Sequence, residues 1–185
     1  MMSADKKYEE FAFVLDFSAR GKSAVINGRE GPMVQAIGEE RLTLLELLAI
    51  ENQDFDVGEK VKIGKEGREK IISVLGRLEY EELTPEARGS LPVVAENLVK
   101  ANEQKYVAYF NDLQPLTPRL HGLELIPGIG KKFMKEILET REKRPFTNFE
   151  DIQERVGLRE PAKMMAKRII EELSGDSRIS LFVKR

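Results

Sequence analysis

The sequence predicts an α+β protein: a small N-terminal antiparallel β-barrel, a helical connector, and a C-terminal pair of helical hairpins. Three observations predict it. Up to Gly64, apolar side chains alternate in short runs split by glycine. From Glu66 the apolar spacing turns helical. Further on, the stretch from Leu123 to Leu138 reads as helix, tight glycine turn, helix. The predicted domains are 8–65 for the β domain, 66–112 for the connector, 113–175 for the paired hairpins and 176–185 for a C-terminal strand.

Composition bounds the class. The 185 residues suit one domain or two small ones, and 41% hydrophobic residues supply a core. No apolar run approaches a membrane span and no signal-peptide pattern opens the chain, so a soluble cytoplasmic protein without a membrane partner is expected. With no cysteine there is no disulfide, thiolate metal site or cysteine nucleophile. The net charge of −2 hides an asymmetry. Residues 1–112 carry 15 Lys and Arg against 21 Asp and Glu, and residues 113–185 carry 15 against 11. The basic excess sits in the half that holds the glycine turn, which points to a polyanionic partner there and moderate, salt-sensitive affinity.

Residues 1–7 are expected to fray. Phe11 to Phe17 is a predicted strand with Phe11, Phe13, Leu15 and Phe17 on one face. The glycine-containing segment from Ser18 to Gly31 is a loop, with a short strand at Ala24 to Ile26. Met33–Ile37 and Leu42–Leu48 read as a hairpin across Gly38-Glu39-Glu40-Arg41. Periodicity leaves Leu42–Leu48 open between strand and helix, and the glycine turn before it favours strand. Lys60 to Gly64 is a further strand. Such a set suggests a small barrel, of which the oligonucleotide-binding barrel is one example. Next, Ile71, Ile72, Val74, Leu75 and Leu78 fit one helix face. Thr84-Pro85 caps a short helix, Gly89 and Pro92 break it, and Ser90 caps a new one. Glu103 to Asn111 is helical with Tyr106, Val107 and Phe110 inward. Thr117-Pro118 starts the first helix of the hairpin region, with His121 inside it. Asn148 caps a helix that buries Phe149, Ile152 and Val156, and another helix starts near Pro161. Ile179, Leu181 and Val183 predict a C-terminal strand that pairs with an edge of the N-terminal sheet and ties the two parts together.

The chemistry concentrates at Pro127-Gly128-Ile129-Gly130-Lys131-Lys132. Pro127 ends the preceding helix, and the glycines permit positive φ and close approach. The new helix then begins with unpaired N–H groups and two lysines, an arrangement that favours an anion. The predicted phosphate site is the Gly128-Ile129-Gly130 turn, where the amides of Ile129 to Lys131 hold a backbone phosphate. Lys131, Lys132 and Lys135 supply charge, and Arg141 and Arg144 extend the track. Val156-Gly157-Leu158 forms a degenerate second turn. Arg159 stands at the position of its second glycine, so Arg159 and Lys163 are expected to supply charge there. Other phosphate motifs fail: Phe133 occupies the third glycine position of a dinucleotide loop, and Asp16 replaces the first glycine before Gly21-Lys22-Ser23.

Residues 118–173 resemble a tandem helix–hairpin–helix domain, a module that in many proteins binds nucleic-acid backbone without sequence preference. The matching residues are Leu123, Leu125-Ile126, Pro127-Gly128-Ile129-Gly130, Lys131 and Ile137. Met134 departs from the usual small residue. More broadly, the chain is similar to an archaeal family of uncharacterised proteins described as predicted nucleic-acid- or RNA-binding. In that family an OB/S1-like N-terminal region precedes the hairpins. The similarity lies in Asp56–Gly64, Leu83-Thr84, Phe110-Asn111, Arg119–Lys132 and Arg144-Pro145-Phe146. The resemblance implies a non-catalytic nucleic-acid binder without cofactor or metal, RNA favoured over DNA, with a translation or ribosome link. Two other readings stay open. One is a protein–protein adaptor whose acidic N-terminal half meets a basic partner. The other is a DNA repair or processing factor; a metal nuclease would need a third carboxylate beside Asp54 and Asp56.

Overall fold

The computed structural model describes residues 8–175 and 177–185. The expectation of a frayed 1–7 lies outside the described residues. The chain forms an α+β structure of two compact units, one comprising the chain up to Val94 with Glu172–Arg185, the other Ala95–Glu171.

The first unit is built on a curled antiparallel sheet of five strands: β1 (Phe11–Lys22), β2 (Glu30–Gly38), β3 (Leu44–Ala49), β4 (Lys60–Lys62) and β5 (Ile71–Arg77), in the order β4-β1-β2-β3-β5. The β2–β3 hairpin forms as the glycine turn predicts, with Met33 opposite Leu48 and Ile37 opposite Leu44. Its inner face buries Ala12, Val14, Val34, Ala36, Leu45, Leu47, Val61 and Ile63. The alternation expected for β1 is only part of its pattern: Phe13 and Leu15 are buried, and so are Ala12 and Val14 on the opposite face. Ala12 and Val14 face this cluster, and a bulge between Val14 and Asp16 shifts the phase so that Phe17 joins it beside Phe55.

Five expectations fail in this unit. The loop expected from Ser18 starts only after Lys22, because β1 continues to pair with β2 as far as Glu30. Residues 71–77 form strand β5, not a helix. Their β-branched side chains suit a strand, and pairing with β3 buries Ile71. Arg68 joins the two unpaired edges, donating to the carbonyls of Ile63 and Gly64 beside β4 and Ile72 in β5 at 2.7–3.0 Å. Ala24–Ile26 is a turn, folded around Ser23 and the buried Glu46 carboxylate that accepts the Ala24 N–H at 2.8 Å. The helix after Thr84 runs unbroken as α1 (Pro85–Ala101) through Gly89 and Pro92. Thr84 caps it, but the Ser90 hydroxyl donates to the Leu15 carbonyl at 2.7 Å and starts no new helix. Finally, residues 177–185 carry no strand. Their backbone turns inward because the buried Glu172 carboxylate collects the N–H groups of Leu181, Phe182 and Val183 at 2.8–3.0 Å. Phe182 and Val183 are buried, and one backbone bond, Lys184 N–H to the Arg41 carbonyl at 3.1 Å, ties the tail to the sheet's β2–β3 turn.

The second unit holds the end of α1, α2 (Glu103–Asp112), a two-stranded ribbon of β6 (Pro115–Thr117) and β7 (Leu120–His121), and helices α3 (Lys131–Lys143), α4 (Phe149–Val156) and α5, which runs Pro161–Leu173 and ends in the first unit. Tyr106, Val107 and Phe110 of α2 point inward as predicted. The helix expected from Thr117-Pro118 is absent. Two prolines in four residues favour the extended ribbon, and only a single 3-10 turn, Gly122–Leu125, precedes the glycine turn.

Candidate nucleic-acid interface

Gly128 and Gly130 do different work. Gly128 adopts φ +95°, and a Cβ there would lie 2.2 Å from Met164 Cε. The left-handed φ is what calls for glycine, since the Met164 methyl is the end of a flexible side chain that can swing aside. Gly130 is the N-cap of α3 at φ −92° and ψ −171°, with open space where a Cβ would stand. That geometry suits Ser, Asp or Asn, residues that would satisfy a helix amide and stabilise α3. Glycine leaves the amides open. Among the described residues, the N–H groups of Gly130, Lys131, Lys132 and Phe133 meet no acceptor, and the first turn of α3 holds no acidic side chain.

The predicted site residues separate into those near these amides and those committed elsewhere. The Ile129 amide is not available: it donates to the Ile126 carbonyl at 3.0 Å, and the side chain is buried beneath the turn. Lys131 pairs with Glu124 Oε1 at 2.8 Å and donates to the Arg119 carbonyl at 3.1 Å, so its charge is largely offset in the free protein. Lys132 and Lys135 are exposed and meet no carboxylate among the described residues. Arg141 does not extend a surface track. Its guanidinium donates to the Phe110 and Leu113 carbonyls at 3.2 and 2.9 Å, closing the C-terminal end of α2. Arg144 is exposed, with Asp151 at 3.7 Å.

The second turn is one residue longer than the first. Gly157 caps α4 at φ +78°, Leu158 is buried as Ile129 is, and the N-cap of α5 is Glu160, whose carbonyl accepts the Met164 N–H at 3.2 Å. Arg159 thus precedes the cap and does not replace it. Glu160, held at φ +51°, sets a carboxylate at the start of α5. Arg159 and Lys163 are exposed on either side of it.

Residues that periodicity does not single out brace the first turn. His121 caps the 3-10 turn, its Nδ1 accepting the Leu123 N–H at 3.0 Å, and Glu124 Oε2 accepts the His121 N–H at 2.8 Å. Burial first, then the Arg141 charge, lower the imidazole pKa against the opposing Glu124. The Lys131 hydrogen bond, then the His121 N–H, lower that of Glu124. The pattern His-x-x-Glu ahead of an apolar run has capping-box spacing, with an imidazole as the cap. Arg155 locks the α3–α4 corner, donating to Asp151 at 3.0 Å and to the Thr140 and Arg144 carbonyls at 3.1 and 2.8 Å, over the Phe146 ring. Burial raises the Asp151 pKa, but the Thr147 N–H, Arg155 and Arg144 together outweigh it and the net shift is downward.

The described residues hold no group of three His, Cys, Asp or Glu able to ligate a metal, and no helix long and apolar enough to cross a membrane. The molecule is thus an α+β protein with an open, cation-flanked set of helix amides.

The chain belongs to the protein family of unknown function DUF655, whose model matches residues 8–184. It is similar to the uncharacterized protein MJ0038 of Methanocaldococcus jannaschii, 42% identical over 181 residues, which is 97% of this chain and 82% of that protein. The crystal structure of Af1531 from Archaeoglobus fulgidus, described under the same family, is similar with a TM-score of 0.85 and 41% identity. The match covers 95% of this chain and all of that one. Both relatives are archaeal proteins.

Proposed function

We propose that this protein is a non-catalytic nucleic-acid-binding protein that grips backbone phosphate at the N-terminus of α3, with RNA favoured over DNA. One observation carries the reading: the open amides of Gly130, Lys131 and Lys132 at an N-cap whose geometry would accept a stabilising Asp or Ser. Several other sets of amides in this chain are filled from within. Glu172 takes those of 181–183, Glu9 those of Glu40 and Arg41, and Asn148 that of Asp151. An unfilled helix start with two exposed, unpaired lysines in its first turns is suited to an anion supplied from outside. The glycine turns preceding α3 and α5 support a helix–hairpin–helix reading, in which the 3-10 turn serves as a shortened first helix. The strand order β4-β1-β2-β3-β5 supports an OB/S1-like reading of the sheet, and that resemblance favours RNA. Phosphate contacts set position and read no bases.

The test is binding to matched single- and double-stranded RNA and DNA across a salt series, beside the Gly130→Asp variant. An acidic cap keeps the helix start intact and fills its amides with negative charge. Wild-type binding that weakens steeply with salt and is lost in the variant supports the reading. Equal binding by both proteins overturns it.

A further inference from the structure

The sheet of the first unit curls toward a barrel and stops short of closing. β4 and β5 lie at its two ends, and four antiparallel steps separate them, so they run the same way. Joining them directly needs a parallel pair, whose connection takes about a dozen residues or more, and only 63–70 lie between them. Arg68 closes part of the gap, its guanidinium taking the Ile63, Gly64 and Ile72 carbonyls. Beyond Ile72, no strand among the described residues pairs with the outer edge of β5. A cleft of about 750 Å³ opens there, walled by residues of β5 and by Lys62–Glu66. Its floor is barrel interior. Leu45 and Ile63 belong to the buried core, and Val74, in register with the core residue Leu47, shares that face yet is left 37% exposed. Its rim is cationic. Lys65, Arg68 and Arg77 meet no carboxylate among the described residues. Of the lining acids, Glu10 pairs with Lys62 at 3.2 Å and Glu9 accepts the Glu40 and Arg41 amides, which leaves Glu66 against the three cations.

We propose that this cleft takes an extended segment of a partner protein, acidic and apolar at alternate positions, which adds a strand to the free edge of β5. An edge strand offers a row of backbone N–H and C=O groups to another chain, and main-chain pairing of this kind supplies affinity while alternate side chains supply specificity. Successive side chains of the added strand point to opposite faces. Those turned inward would cover Leu45, Ile63 and Val74 and complete the core that the open barrel leaves unfinished. Those between them would set carboxylates at the rim beside Lys65, Arg68 and Arg77. The volume lies within the usual range of ligand sites, about 300–1,000 Å³. A compact molecule would answer the floor and leave the β5 edge unused. A nucleic-acid strand would meet the cations and find no partner in either the edge or the floor. The cleft belongs wholly to the first unit, so the inference does not depend on the phosphate site at α3.

The experiment titrates the full chain, labelled for amide detection, with three probes. The first is a capped peptide about six residues long, the usual length of a strand, alternating aspartate and valine. The others are its lysine–valine counterpart and a single-stranded RNA. The proteins are the wild type, Arg77→Glu and Gly130→Asp, each checked for a native circular-dichroism spectrum; Arg77 is exposed at the end of β5. The aspartate peptide should shift the Ser73–Arg77 amides of the wild type and slow their hydrogen exchange. It should bind about tenfold more tightly than the lysine peptide, and Arg77→Glu should weaken it about tenfold. Gly130→Asp should bind it as the wild type does. No binding of the aspartate peptide, equal affinity for the two peptides, shifts that spare β5, or no loss in Arg77→Glu overturns the proposal. So does a loss in Gly130→Asp, which would move the peptide to α3, and so does RNA that shifts the β5 amides and displaces the peptide, which would make the occupant a nucleic acid.

Discussion

The two glycine turns share a plan and differ at the atom that matters for an anion. Each carries a glycine at positive φ, a buried aliphatic residue after it, and a helix start. At the first, Gly130 caps α3 with no side chain. At the second, the loop gains a residue and Glu160 caps α5. The fold needs the left-handed glycine and the buried aliphatic in both places. It does not need Gly130, which sits at ordinary φ in open space. A residue that packing leaves unconstrained and stability would replace is the best sign of a binding role here.

The largest way to break the comparison is to give the first turn the second turn's charge. Gly130→Asp should lower nucleic-acid affinity at low salt by about a hundredfold. Its melting point should hold or rise, since Asp and Gly differ as caps by only a few tenths of a kcal/mol. The contrast between open and filled amides makes a second prediction. Glu172→Ala should cost about 2 kcal/mol in denaturant unfolding, because the 181–183 amides lose their acceptor. Conversely, Glu160→Gly should turn the second site toward the first. It removes a carboxylate and relieves a non-glycine residue at φ +51°. Affinity should rise about fivefold by titration. Smaller still, Lys132→Ala should lower the salt slope by about one unit. Lys131→Ala should lower it less, because Glu124 offsets that charge.

The smallest effect is on pH dependence. His121 has its folded pKa below the ordinary value near 6.5, so the unfolded chain takes up the proton first. Stability is full above about pH 6.5 and falls as pH drops through the folded value. Glu124 is shifted down as well, so its contribution is lost only at more acid pH, as the carboxylate itself protonates. Melting points from about pH 5 to 8 should show the histidine decline, and His121→Asn, which keeps an acceptor for the Leu123 N–H, should flatten it.

Much of the frame was legible in the sequence because it rests on local chemistry. Glycine turns, the Asn148 cap and Pro161 at a helix start mark boundaries by steric and hydrogen-bonding rules that act over a few residues. What escaped depends on distant partners. Ile71–Arg77 is a strand because β3 supplies its pairing. The tail is irregular because Glu172 draws its amides inward. Arg141 looked like a surface cation until the α2 carbonyls were placed beside it. At the site, the glycine turn and its lysines were readable. The withdrawal of the Ile129 amide, the Lys131–Glu124 pair and the Glu160 cap were not, since each depends on which neighbour a side chain or amide meets in the folded chain.

Amide chemical-shift mapping tests the central claim most directly. Titrating the labelled protein with RNA should shift the Gly130, Lys131 and Lys132 amides first and furthest, and leave Glu160, Ala162 and Lys163 near their free positions. Shifts that spare α3's start, or that fall equally on both turns, would contradict the account.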